Sequence, residues 1–305
     1  MFTGTGTALV TPFRRDGSLD EPTLRALVKR QIDAGIDFLV PCGTTGESPT
    51  LTHEEHLRVV QITVEMAKGH VPVLAGAGGY NTAEVIALAR ELAEIGADGI
   101  LSVTPYYNKP TQEGLFQHYR AIAEAISLPI ILYSVQGRTG VNVEPATVRR
   151  LAAIPNIVGL KEASGNVSQM AAILNAVPDD FTVLSGDDAI TLPLISLGGR
   201  GVISVVSNEI PAEMTRLTRL ALNGDFRGAR EIHRRVHPLM EVNFVESNPI
   251  PVKAAMAQMG LLEPVWRLPL VAPKAESETR IRAVLESLEL VDAAKPQHAA
   301  VHAAA

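Results

Sequence analysis

The sequence predicts an α/β fold, a (β/α)8 barrel of the TIM type with a C-terminal helical extension. Short β-rich apolar runs alternate with longer segments of helical period, the pattern of parallel βα units. Eight such pairs follow one another, which suits a barrel of about 250 residues. After the eighth pair the pattern turns purely helical.

The expected strands are 7–11, 37–42, 71–75, 99–103, 129–133, 157–161, 181–185 and 201–205. The expected helices between and after them are 23–34, 53–67, 83–95, 114–125, 145–153, 168–175, 189–197 and 211–223. Gly35, Gly69 and Gly96 each end a helical segment before the next strand, as a left-handed C-terminal residue should. Thr52 and Glu55 have the spacing of a capping box that opens the second helix. The barrel is thus expected over 1–224. Helices at 226–242, 251–259 and 276–288 make a helical segment over 225–291. The Ala/His/Pro-rich stretch 292–305 reads as a disordered tail, and its two histidines as part of that tail before metal ligands.

Composition narrows the function classes. A 305-residue chain with 46% hydrophobic and 20% charged residues can bury a large core. A net charge of −6 offers no basic footprint for nucleic acid or an anionic membrane. One cysteine, Cys42, excludes an intrachain disulfide framework and suits a reducing compartment. Neither a signal peptide nor a bilayer-spanning run is evident, so the expectation is a cytoplasmic protein.

In such a barrel the chemistry sits at the carboxyl ends of the strands. Read in order, those ends present Thr11-Pro-Phe, Cys42-Gly-Thr-Thr-Gly-Glu, Gly76-Ala-Gly-Gly, Thr104-Pro-Tyr-Tyr-Asn, Tyr133-Ser-Val-Gln-Gly-Arg-Thr-Gly, Lys161-Glu, Gly186-Asp-Asp and Ser204-Val-Val-Ser-Asn. The set lacks the His/Asp/Glu cluster of a catalytic metal, so no metal site is expected. Asp187 and Asp188 read as a helix cap and dipole complement. The Gly76–Gly79 run lacks the full dinucleotide fingerprint.

What stands out is Lys161, at the end of an apolar strand in a mouth rich in hydroxyls. A lysine taken out of water favours its neutral amine, which can attack a carbonyl and form a Schiff base. Tyrosine can then both give and take a proton, and arginine can grip a carboxylate bidentately. The Thr44-Thr45-Gly46 turn offers hydroxyls and backbone N–H groups to an anionic keto acid. Together these argue for a lysine-dependent aldolase or lyase acting on small oxo acids.

Each residue also has a blander reading. Lys161 could pair with Glu162, but neighbours on a strand face opposite ways. Tyr133 could be core with a wet hydroxyl tip. Tyr106 and Tyr107 are consecutive and should point apart. Arg138 in a Gly-flanked loop could be merely solvated, and Thr44 and Thr45 merely turn residues. Cys42 reads as a small buried filler before a nucleophile. His53 and His56, three apart, read as a helix-face pair before a metal pair.

Five motifs in order carry a resemblance that runs from about residue 4 to 269. They are Gly43-Thr-Thr-Gly-Glu47, Thr104-Pro-Tyr-Tyr-Asn-Lys-Pro110, Gly137-Arg-Thr-Gly140, Gly159-Leu-Lys-Glu162 and Asn248-Pro-Ile-Pro-Val-Lys253. On them the chain resembles the dihydrodipicolinate synthase (4-hydroxy-tetrahydrodipicolinate synthase) family of pyruvate-dependent class I aldolases, related to N-acetylneuraminate lyase. The resemblance implies that Lys161 forms the imine with pyruvate, with no other cofactor. It implies that Tyr133 transfers protons through Thr44 to Tyr107, the last reaching into a neighbouring subunit. Thr45 would hold the pyruvate carboxylate, with Gly186 and Ile203 lining its pocket, and Arg138 would receive the carboxylate of L-aspartate 4-semialdehyde. The implied reaction is their aldol-type condensation in diaminopimelate and lysine biosynthesis, carried out by a homotetramer built as a dimer of dimers.

Two departures from the family pattern concern the loop after the fifth strand, where Ser134 and Gln136 replace asparagine and proline. Losing the proline frees φ and adds an N–H donor, which predicts a less rigid platform for Arg138. A third concerns regulation. In lysine-inhibited members an interface pocket matches Ser48, His53, His56, Glu84 and Tyr106 here, with Tyr80 standing where asparagine is usual. The alternatives are another lyase of the same imine group, cleaving N-acetylneuraminate or a 2-keto-3-deoxy sugar acid, a non-catalytic sensor on the same barrel, and a metal-dependent aldolase. Arg138 suits a short second carboxylate better than a polyol.

Overall fold

A computed structural model describes residues 2–292; Met1 and the tail beyond 292 lie outside the described residues. The first half runs β1 (Gly4–Ala8), α1 (Glu21–Asp33), β2 (Phe38–Val40), α2 (His53–Ala67), β3 (Leu74–Gly76), α3 (Thr82–Ile95), β4 (Gly99–Val103) and α4 (Gln112–Ala125). The second runs β5 (Ile130–Ser134), the single turn α5 (Gln136–Thr139), α6 (Pro145–Leu151), β6 (Ile157–Glu162), α7 (Val167–Leu174), β7 (Thr182–Ser185), α8 (Thr191–Ser196), β8 (Gly201–Ser204) and α9 (Pro211–Leu222). Three further helices follow: α10 (Phe226–Val242), α11 (Ile250–Gln258) and α12 (Ala275–Ser287).

The eight strands are parallel and form one sheet in the order β2-β1-β8-β7-β6-β5-β4-β3. The two ends of that order meet at a single parallel bridge, Leu39 to Val73, so the barrel is nearly closed. Leu39 N–H donates to the Pro72 carbonyl at 3.0 Å across this seam. Pro72 has no N–H to return, which is one reason the pairing there stays short.

Local chemistry explains the boundaries. The Thr52 hydroxyl accepts from the Glu55 N–H and the Glu55 carboxylate accepts from the Thr52 N–H, so both halves of the capping box at α2 are present. Gly35, Gly69 and Gly96 all take positive φ where their helices end. The first strand lies at Gly4–Ala8, earlier than the apolar run 7–11 suggests. Its glycines look unlike a strand, but close approach requires them. A Cβ on Gly6 would lie 2.1 Å from the Phe38 ring. β3 is likewise displaced, from 71–75 to Leu74–Gly76, beyond the proline.

Phe38, Val40, Leu74, Leu101, Ile131, Tyr133, Leu184 and Ile203 fill the barrel interior. A second shell between strands and helices includes Leu24, Leu92, Ile100, Leu115, Ile122 and Leu160. The C-terminal helices have a core of their own, with Met214, Leu239, Ala255, Ile281 and Leu285. They do not stand apart from the barrel, because α11 is buried from Ile250 to Met256. Its Val252 and Met256 pack with Val10 and Val205, just beyond strands β1 and β8, and with Leu27 of α1. That helix brings polar side chains to the barrel mouth.

Candidate active site

β6 carries Lys161 to the barrel mouth, in register between Tyr133 of β5 and Leu184 of β7. Lys161 is 5% exposed, and its ammonium nitrogen lies 4.2 Å from the centroid of the Tyr133 ring. Among the described residues it makes no ion pair. Glu162 faces the other way, as strand alternation demands. It accepts from Gln169 Nε2 at 2.8 Å and from the Ser164 N–H at 3.2 Å. Gly186 clears space for the lysine. A Cβ there would meet Ala163 Cβ at 2.6 Å and Lys161 Cε at 3.1 Å. Ile203 packs in the same interior cluster as Tyr133. Lys161, Tyr133 and Gly186 thus converge on one side of the mouth, above the interior cluster that holds Ile203.

The loop after β2 supplies the other side. Thr45 is buried and Thr44 half-buried, on a turn closed by the Glu47 N–H donating to Thr44 O at 3.1 Å. The Thr11 hydroxyl donates to Gly46 O at 2.7 Å. Cys42 and Glu47 both take left-handed φ, 55° and 53°, a costly conformation for residues with a side chain. Something must therefore hold the turn, and the C-terminal segment does. Lys253 of α11 pairs with Glu47 at 2.5 Å, with neither side chain exposed. Asn248 Nδ2 donates to Thr45 Oγ1 at 2.9 Å.

Asn248 also reaches the third group of the site. Its carbonyl accepts from Arg138 Nη2 at 2.9 Å. Arg138 sits on α5, whose Thr139 hydroxyl caps back to Val135 O and Val141 O. The two departures in this loop have defined roles. Ser134 is buried, and its hydroxyl accepts from the Val143 N–H at 3.2 Å, tying the strand end to the chain that follows. Gln136 occupies the first helical position of α5 with its side chain exposed. An N–H there has no helical acceptor, so the missing proline costs α5 no helical hydrogen bond.

Tyr106 and Tyr107 do point apart: Tyr106 is half-buried and Tyr107 is 89% exposed at φ 62°. No hydrogen bond joins Thr44, Tyr133 and Tyr107 within the described chain. Tyr106 meets Tyr80 edge to face, with ring centroids 5.2 Å apart. Glu84 accepts from Asn81 Nδ2 at 2.8 Å and lies close enough to Tyr106 to help hold its phenol above the usual range, after burial. His53 and His56 diverge. His53 reaches Glu91 at 2.9 Å, whereas His56 contacts the Gly76 carbonyl at 2.9 Å, and burial lowers its pKa. Ser48 opens a short turn right after Glu47.

Asp187 and Asp188 divide their work. Asp187 accepts from the Ala189 N–H before α8, but Asp188 turns away and accepts from the Val205 and Val206 N–H groups, each at 3.0 Å. It therefore caps the turn after β8 and not α8 as expected. Burial raises its carboxyl to about 6. Among the described residues, no group of three or more His, Cys, Asp or Glu side chains is placed to hold a metal ion. Cys42 is buried, and burial pushes its thiol up, which suits the packing role.

Sequence reasoning used Asn248, Lys253 and Glu47 only as parts of motifs and gave none of them a role in the site. The signal was present in Lys253, a lysine inside an otherwise apolar helical run.

Comparison with known proteins shows what the chain is similar to. The model of the "Dihydrodipicolinate synthetase family" matches residues 1–288. A protein of Koribacter versatilis named 4-hydroxy-tetrahydrodipicolinate synthase is 54% identical over 282 residues, 92% of this chain and 94% of that one. Dihydrodipicolinate synthase from Aquifex aeolicus aligns with a TM-score of 0.93 at 46% identity, over 95% of this chain and 99% of that one. A chain described as the first monomeric dihydrodipicolinate synthase variant gives a TM-score of 0.93 at 45% identity, covering 95% and 98%. With nearly its whole length matched and its fold shared, this chain belongs to the dihydrodipicolinate synthetase family.

Proposed function

We propose that the chain condenses pyruvate with L-aspartate 4-semialdehyde, the 4-hydroxy-tetrahydrodipicolinate synthase reaction. The observation that carries the proposal is Lys161, a buried strand-end lysine with no counter-ion among the described residues, beside a tyrosine and facing a glycine that leaves it room. The Lys161 amine attacks the pyruvate carbonyl carbon and water leaves, giving an imine. Loss of a methyl proton gives the enamine, whose carbon adds to the aldehyde carbon of the semialdehyde. Attack of the semialdehyde's amine on the imine carbon then closes the ring and releases Lys161.

Tyr133, against the Lys161 ammonium, is the group placed to move these protons. Thr44 and a partner subunit's tyrosine at position 107 would complete its relay; the 89% exposure of Tyr107 in the single chain supports such an arrangement. Thr45 holds the pyruvate carboxylate, Gly186 and Ile203 shape its pocket, and Arg138 receives the second carboxylate. No cofactor beyond the imine is needed. The working assembly is a homotetramer in the cytoplasm. The names of the relatives favour this substrate pair over a sugar acid.

Ser48, His53, His56, Tyr80, Glu84 and Tyr106 form the proposed site for inhibition by L-lysine, supported by the approach of Tyr80 and Glu84 to Tyr106. Titration with millimolar L-lysine tests it: unchanged activity removes the proposal. For the reaction, borohydride reduction in the presence of pyruvate should add one pyruvate-derived mass on Lys161. Turnover of the semialdehyde should be insensitive to chelators. Absence of the adduct would overturn the imine mechanism.

A further inference from the structure

We propose that Asn248 is a positioning residue that turns the Thr45 hydroxyl toward the carboxylate of the keto-acid substrate. The inference rests on the pyruvate site assigned above and assigns its orientation to the C-terminal helical segment. A threonine hydroxyl has one proton to donate and two lone pairs that accept. Asn248 Nδ2 donates to Thr45 Oγ1 at 2.9 Å, which fills a lone pair and leaves the proton for another acceptor. No group of the described chain accepts that proton. A substrate carboxylate can.

Both partners are buried, Thr45 at 3% and Asn248 at 5% exposed, so water competes poorly for either. The segment carrying Asn248 is itself anchored beneath the same turn. Lys253, five residues on, pairs with Glu47, two residues beyond Thr45. Two ties from one end of α11 thus grip the turn at 45 and at 47. The Asn248 carbonyl also accepts from Arg138 Nη2, but through the backbone, so the side chain and the main chain of one residue serve different parts of the site.

That division sets the test. Half-maximal borohydride trapping gives the apparent pyruvate affinity, and steady-state kinetics with both substrates give the two KM values. Asn248→Ala should raise the half-saturating pyruvate about tenfold, with little change in the KM for the semialdehyde, because the Arg138 contact is to the backbone. Asn248→Asp, which is isosteric and keeps the packing, should raise it about a hundredfold. Its carboxylate takes the Thr45 proton and repels the substrate anion. A Thr45→Val background should absorb the effect, so that adding Asn248→Ala changes pyruvate affinity less than twofold.

An unchanged pyruvate affinity in Asn248→Ala, or full additivity with Thr45→Val, overturns the proposal. So does an Asn248→Asp enzyme that binds pyruvate normally, since the hydroxyl would then be donating to residue 248. A wild-type enzyme that traps no pyruvate would instead refute the imine site itself.

Discussion

Among the described residues two lysines are buried, Lys161 and Lys253, and they are buried differently. Lys161 ends a barrel strand, Lys253 lies in an apolar helix, and each ammonium rests near an aromatic ring, 4.2 Å from Tyr133 and 4.4 Å from Phe13. Lys253 has Glu47 at 2.5 Å. Burial pushes its ammonium below the ordinary lysine range while Glu47 pulls it back. Its protons are committed to a carboxylate, and its work is to hold a strained turn. Lys161 has no such carboxylate, and the acid next to it in sequence points to the opposite face of the sheet. Its nitrogen is left free to meet a carbonyl carbon. Burial alone does not mark a reactive lysine; burial without a counter-ion does.

The largest expected effect that tests this contrast is at Lys161 itself. Lys161→Ala should abolish the pyruvate adduct and cut turnover by at least ~10³-fold, and Lys161→Arg should be equally inactive, because a guanidinium stays protonated. Mass spectrometry of the reduced enzyme should find Lys253 unlabelled in every case; label on Lys253 would break the comparison.

Lys253→Met should act on stability instead. Leaving Glu47 buried and unpaired costs about 3–5 kcal/mol, read as a lower midpoint in urea unfolding, while the folded fraction still forms the Lys161 adduct. Adding Glu47→Gln should recover part of the loss. A Lys253→Met enzyme of full stability but no adduct would give the two lysines the same role.

A smaller effect sharpens the reactive side. Gly186→Ala places a methyl 3.1 Å from Lys161 Cε and 2.6 Å from Ala163 Cβ. It should slow trapping about tenfold and lower stability by about 1–3 kcal/mol. Smallest of all is Gln136→Pro. At the first position of α5 it should change stability by less than about 0.5 kcal/mol and leave both KM values unaltered. A marked gain in semialdehyde affinity would show that the loop is looser than its hydrogen bonds indicate.

The chain's local patterns determined a good deal. Apolar runs alternating with helical periods specify eight βα units, because burial of a strand and of one helix face each leaves its own period in the sequence. Caps such as Thr52/Glu55 and glycines such as Gly96 place helix ends through contacts a few residues long. Lys161 was legible too, as a charge at the end of an apolar strand whose neighbour had to face away. Tertiary structure decided the rest, because the relevant partners are distant in sequence. β1 begins at Gly4 because the Phe38 ring packs against Gly6. Asp188 caps the turn after β8 and not its own helix because Val205 and Val206 present their N–H groups to it. Thr45 and Asn248 are 203 residues apart, and Glu47 and Lys253 are 206 apart. Local pattern cannot pair them, since only closure of the barrel and docking of α11 bring a lysine and an asparagine under the turn proposed to bind the substrate.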